Sequence, residues 1–214
     1  MRTVAVLPVK SFGRAKQRLR PAGLDRAELA AAMVGDVLEA LGAVRGLDGV
    51  VVVSAQDLAG RPAGTEWVHD PLEVGQSSAA ARGVRAAVGR GAQRVLLVPG
   101  DCPALDPAEV DALLESAAPG VVIVPDRHGS GTNALLLDPP AVLTPAFGPG
   151  SFARHAALAH AAGATVRVGR LPSLELDVDT PGDLEALRAA LDAGRGGAPR
   201  TRAMLDGIAA AHAA

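Results

Sequence analysis

The sequence predicts an α/β three-layer sandwich with a mostly parallel, mixed sheet. Two observations carry that reading. Short, near-continuous apolar runs, the mark of strands buried on both faces, alternate along the chain with segments of helical periodicity. The polar residues with chemical potential follow those runs, where the strands of an open sheet end and ligands bind.

Thr3 to Val9 is the first apolar run, followed by a polar loop from Lys10 to about Arg20. Asp25 with Glu28 makes a capping-box-like start for a helix to about Ala43. Val50 to Ser54 and, more briefly, Glu66 to His69 read as strands, and an Ala-rich helix covers Ser77 to Arg90. Arg94 to Val98 is another buried strand, stopped by Pro99-Gly100-Asp101-Cys102-Pro103. A helix from Pro107 to Ser116 precedes strands at Val121–Val124 and Asn133–Leu137, the latter a candidate for antiparallel pairing. Gly148-Pro149-Gly150-Ser151 introduces a helix to about Ala162, and Thr165 to Val168 is a strand.

Leu174 to Asp179 alternates apolar and acidic residues as a last strand segment would. Thr180 and Pro181 then read as N-cap and first residue of a helix to about Leu191, with Asp183 at N3. Gly194 to Pro199 breaks the pattern. The expected organisation is one domain over 1–193, then a linker and tail over 194–214 able to form a short docking helix.

Bulk properties narrow the function. A chain of 214 residues, 49% apolar and 21% charged, can bury a sizeable core as an ordinary globular protein. Its net charge of −2 argues against general nucleic-acid binding, and 2% aromatic content without Tyr removes stacking platforms. Cys102 is alone, which excludes an internal disulfide framework and a cysteine zinc site, and it reads as structural filler. The chain starts directly in an apolar strand, without a basic leader and cleavage site, and has no apolar run of about 18 residues. No membrane partner and a cytoplasmic location are expected.

On a strand, Asp177 and Asp179 would project from one face, roughly 7 Å apart, and repel unless a cation lies between them. With Asp101 at the end of a central strand they suggest a hard divalent site, most plausibly Mg²⁺ serving a phosphate-bearing substrate. Lys10 and Lys16, with Arg14 and Arg18, fall in the loop after the first strand, and Lys10 and Lys16 would face phosphates there, although such a loop is also ordinary solvated surface. Asp101 also suits a turn, and the Asp177/Asp179 pair suits an edge. Ser151 suits a simple helix cap, but Gly148 and Gly150 allow close backbone approach, and free helix N–H groups attract an anion. Thr132 is placed to donate to that same anion. The loop carries neither a Walker A nor a G-x-G-x-x-G pattern, and nothing singles out a histidine base.

At these residues the chain resembles the guanylyltransferases that activate 2-phospho-L-lactate or phosphoenolpyruvate in biosynthesis of the deazaflavin coenzyme F(420). The matching pieces are Leu7-Pro8-Val9-Lys10, Ala15-Lys16-Gln17-Arg18-Leu19 and Val98-Pro99-Gly100-Asp101-Cys102-Pro103. Asp126-Arg127, Gly131-Thr132-Asn133-Ala134-Leu135, Phe147-Gly148-Pro149-Gly150-Ser151-Phe152 and Asp177-Val178-Asp179-Thr180-Pro181 follow in family order. The resemblance implies a nucleotidyltransferase fold of the glycosyltransferase-A-like kind. It implies Mg²⁺ on Asp101, Asp177 and Asp179, the phosphorylated acceptor on Thr132, Gly148 and Ser151, and the GTP triphosphate before Lys10 and Lys16. Where the family commonly has Gly-Leu-Asn near the nucleotide pocket, this chain has Gly75-Gln76-Ser77.

The expected reaction joins GTP to a small phosphorylated carboxylic acid, phosphoenolpyruvate or 2-phospho-L-lactate, and releases pyrophosphate. The acceptor's own phosphate oxygen would attack the α-phosphorus, already ionised because a phosphate monoester's second pKa is about 6. Two other readings remain. One is a molybdopterin or sugar-phosphate nucleotidyltransferase of the same architecture, which usually opens with a Gly-rich loop where this chain has Pro8-Val9-Lys10-Ser11-Phe12-Gly13. The other is a catalytically silent assembly subunit, which predicts lost carboxylates, whereas all three are present.

Overall fold

The computed structural model describes every residue except 15, 17, 18, 20–24, 59 and 214, with side chains except those of 14 and 208–213. The family-like segment at 15–19 therefore lies largely outside the described residues, Lys16 and Leu19 excepted.

Alternate residues of valine-rich strands face opposite sides, and helices cover both. The strands are β1 (Thr3–Pro8), β2 (Gly49–Ser54), β3 (Thr65–His69), β4 (Arg94–Leu97), β5 (Gly120–Pro125), β6 (Thr132–Asp138) and β7 (Val166–Val168). They form one sheet in the order β3-β2-β1-β4-β6-β5-β7. Only β6 runs against the rest, pairing antiparallel with β4 and β5, as its candidate antiparallel pairing foresaw.

Helices α1 (Arg26–Ala43) and α3 (Pro107–Ser116) cover one face, where Val37, Leu41 and Leu114 meet Ala5, Leu7, Val52 and Leu96. On the other, Ala80, Val84 and Ala87 of α2 (Gln76–Gly89) and Ala159 of α4 (Ser151–Ala161) meet Val6, Val53, Leu97 and Ile123. A third cluster joins α1, α5 (Pro181–Asp192) and α6 (Pro199–Ala213) through Leu29, Met33, Leu187, Leu191, Ala198 just before α6 and Met204 on it.

The helix starts follow local chemistry. Asp25 Oδ1 accepts from Ala27 N (2.7 Å), and Asp106 Oδ1 accepts from Ala108 N (2.8 Å) ahead of Pro107. Thr180 and Asp183 close a reciprocal capping box at α5. At α6 the acceptor comes from another helix. The Asp36 carboxylate on α1, 3% exposed, accepts from Arg200 N (3.0 Å) and Thr201 N (2.8 Å).

One expected strand is absent. Leu174–Asp179 pairs with no strand: it begins in a turn, where Leu174 N (2.9 Å) and Glu175 N (3.2 Å) both donate to Leu171 O, and continues without regular structure to Asp179. Val178 N donates to Asp101 O (3.1 Å) and the Cys102 thiol to Leu174 O (3.5 Å), which ties the segment to the loop after β4. Among the described residues no helix is long and apolar enough to cross a membrane.

Candidate active site

Strand order reverses between β1 and β4, where β1 turns to β2 on one side and β4 lies on the other. Such a reversal leaves a crevice at the carboxyl ends of the strands. A cleft of about 610 Å³ opens there, lined among others by Lys10, Lys16, Asp70, Gln76, Asp101 and Asp179.

Lys16 organises its floor. Its backbone is left-handed (φ 52°), and its ammonium lies 2.7 Å from Asp101 Oδ2 and 2.9 Å from Asp179 Oδ1. Burial pulls the Lys16 pKa down, but the charges and hydrogen bonds of Asp101 and Asp179 outweigh it and leave it above the usual lysine value. Lys10 lines the same cleft with its side chain exposed.

Asp177 lies just beyond. Its Oδ1 accepts from Asn133 Nδ2 (3.1 Å), which also donates to Leu174 O (2.7 Å). Burial pushes the Asp177 carboxyl above its ordinary value; the Asn133 amide opposes this, and the negative charges of Asp101 and Asp179 add to it. Between the two acids Val178 is fully buried. Asp179 is aimed from behind: Asp183 Oδ2 accepts from Asp179 N (2.9 Å) and Thr180 N (2.7 Å), while its Oδ1 pairs with Arg127.

The Lys16 ammonium thus lies between Asp101 and Asp179, with Asp177 near enough to feel their charges, but among the described residues no three acids stand close enough together to hold one metal ion. Asp101 and Asp179, sharing one positive charge, are the part of the expected metal set that the structure brings together, whereas Asp177 is bonded to Asn133 and raised chiefly by burial.

Thr132, Gly148 and Ser151 also come together, on the other side of Asn133. Thr132 opens β6 next to Asn133, and Ser151 opens α4 with its Oγ 3.2 Å from Thr132 Oγ1. Gly148 has φ +111°, a backbone that favours glycine. The expectation of free N–H groups at this helix start needs correction. Ser151 N donates to Gly148 O (3.0 Å) and Phe152 N to Ser130 O (3.2 Å), so the first two N–H groups of the helix are already engaged, one by the turn and one by the loop before β6. What the site offers an anion is hydroxyl chemistry.

Three contributors were not singled out by sequence reasoning. Asn133 and Arg127 stand within recognisable motifs, but their partners lie 44 and 56 residues away. His155 bonds Thr132 Oγ1 through Nδ1 (3.0 Å) and Ala146 N through Nε2 (2.9 Å); its helical spacing from Ser151 was its one sequence signal. Cys102 is buried as expected, its thiol 3.5 Å from Leu174 O and pushed well up by burial and by Asp101 and Asp177.

Residues 3–191 match the family described as "Guanylyl transferase CofC like". The chain is 52% identical over 215 residues to a phosphoenolpyruvate guanylyltransferase of Conexibacter woesei, covering 96% of each. It is 41% identical over 193 residues to one from Sphaerobacter thermophilus, covering 87% of this chain and 93% of the relative. Among solved structures, a candidate nucleotide-diphospho-sugar transferase from Desulfovibrio desulfuricans G20 superposes with a TM-score of 0.74 over 97% of both chains, at 19% identity. That likeness shows a shared nucleotidyltransferase fold.

Proposed function

We infer the reaction from one premise: the chain belongs to the CofC-like guanylyl transferase family. It is a guanylyltransferase that condenses GTP with phosphoenolpyruvate, releasing pyrophosphate, in the biosynthesis of coenzyme F(420). The observation that carries this reading is the charged bridge at the switch-point cleft, where Lys16 holds Asp101 and Asp179 together beside Asp177. The name of the relatives favours phosphoenolpyruvate over 2-phospho-L-lactate.

Asp101, Asp177 and Asp179 would hold Mg²⁺, which supplies charge neutralisation on the nucleotide phosphates. Lys10 and Lys16 face the triphosphate and stabilise the charge that develops on the leaving pyrophosphate. Thr132, Gly148 and Ser151 orient the acceptor so that its phosphate oxygen lies in line with the α-phosphorus. That oxygen bonds to the α-phosphorus as the bond to the β-phosphate bridging oxygen breaks, and pyrophosphate departs with the electron pair. No general base is needed, because the attacking oxygen is already ionised at neutral pH. His155 agrees with this: burial, and then the Arg154 charge, lower its pKa to about 4, and both ring nitrogens are engaged.

The test is pyrophosphate release from Mg²⁺ and GTP with phosphoenolpyruvate, 2-phospho-L-lactate or 3-phosphoglycerate, each product trapped by the next pathway enzyme. Release with phosphoenolpyruvate, reduced by orders of magnitude in Asp101→Asn, is expected. Silence with every acceptor, or a fully active Asp101→Asn, would overturn the reading. Preference for CTP or UTP would move the chain to another nucleotidyltransferase activity.

A further inference from the structure

His155 is fully buried and fully engaged, which fixes where its proton lies. A backbone N–H can only donate, so the 2.9 Å contact with Ala146 N makes Nε2 an acceptor. The neutral ring must then carry its proton on Nδ1, 3.0 Å from Thr132 Oγ1, and Nδ1–H donates to that hydroxyl.

Thr132 Oγ1 and Ser151 Oγ are 3.2 Å apart, and their mutual bond consumes one of their two hydroxyl protons, whichever way it runs. Were Nδ1 an acceptor, it would consume the other. Because Nδ1 donates, one hydroxyl proton remains without a protein acceptor among the described residues. We propose that His155 is a positioning residue that reserves a hydroxyl proton of the Thr132–Ser151 pair for an anionic oxygen of the phosphorylated acceptor. This rests on the reading of Thr132 and Ser151 as acceptor contacts. The orienting role resembles that of residues behind metal-bound histidines, with a hydroxyl in place of the metal. Phe147, edge-on to the ring at 5.1 Å between centroids, holds the imidazole plane.

The test uses the full chain with Mg²⁺, GTP and phosphoenolpyruvate. Nitrogen-15 spectra of histidine-labelled protein should show His155 protonated at Nδ1 and bare at Nε2 at neutral pH; the opposite tautomer would overturn the proposal. His155→Gln keeps an acceptor near Ala146 but has no donor at the Nδ1 position. It should raise the KM for phosphoenolpyruvate about tenfold, the worth of one hydrogen bond, with the KM for GTP unchanged. His155→Asn places an amide N–H where Nδ1 was and should restore that KM to within about threefold.

Equal KM values in the two variants, with equal losses of Tm, would make His155 merely structural and refute the proposal. Thr132→Val separates the two layers of argument. If it raises the KM for phosphoenolpyruvate while His155→Gln does not, the acceptor site stands and the role of His155 fails. If Thr132→Val leaves that KM unchanged, the acceptor assignment fails and takes the proposal with it.

Discussion

Lys16 holds two carboxylates with one ammonium, at 2.7 and 2.9 Å, with only 7% of its side chain exposed. Burying a charge is costly unless it is paired, and removing one partner leaves the others uncompensated. Lys16→Met should therefore lower kcat by about 10²–10³-fold while the far-UV circular dichroism is retained. A kcat within a few-fold of normal would exclude Lys16 from the chemistry. His155 makes a prediction for stability. Its folded pKa of about 4 lies below the ordinary 6.5, so the unfolded chain takes up a proton that the folded chain refuses. Its contribution is complete above about pH 6.5 and is lost as the pH falls toward 4. In acid titrations of Tm, His155→Gln should decline less steeply than the parent over that window; parallel curves would contradict it.

Among the elements, periodicity and capping chemistry place most boundaries within a residue or two, as for the helix at Pro107–Ser116 and its Asp106 cap. The strand assigned to Leu174–Asp179 failed for a physical reason. Apolar and acidic residues alternate in the sequence, but a turn at Leu174 and Glu175 takes the chain out of the sheet, so only Leu174 and Val178 are buried. A turn of this kind leaves no mark that periodicity can read. The start of α6 was equally hidden, since its cap, Asp36, lies 164 residues from Arg200. This cap is a carboxylate buried for the purpose, and side-chain caps are typically worth ~1 kcal/mol and up to ~2. Asp36→Ala should cost about that much in urea unfolding and raise amide exchange at Arg200 and Thr201. Unchanged exchange there would show that α6 is held by its apolar contacts alone.

At the scale of the molecule, the sequence reveals that chemistry collects at strand ends, because polar residues interrupt apolar runs. It does not reveal which ends meet. Lys16 reaches Asp179 across 163 residues, and only the reversal of strand order between β1 and β4 brings them together. The tail is a sharper case. The family match ends at residue 191, yet α6 packs on α1 and lies against α5. Ala198 and Leu205 are 3% exposed. The cluster that joins these helices also contains Val178, so the core that anchors the backs of Asp177 and Asp179 is the one the tail completes. A tail that only decorated the domain would leave metal affinity alone. We expect deletion of residues 195–214 to lower Tm by several degrees, at about 2–4 °C per kcal/mol for a chain of this size. It should also raise, several-fold, the Mg²⁺ concentration giving half-maximal pyrophosphate release, because loosening Val178 releases the two acids on either side of it. A lower Tm with unchanged Mg²⁺ dependence would confine α6 to stability, and no change in either would make it a dispensable appendage.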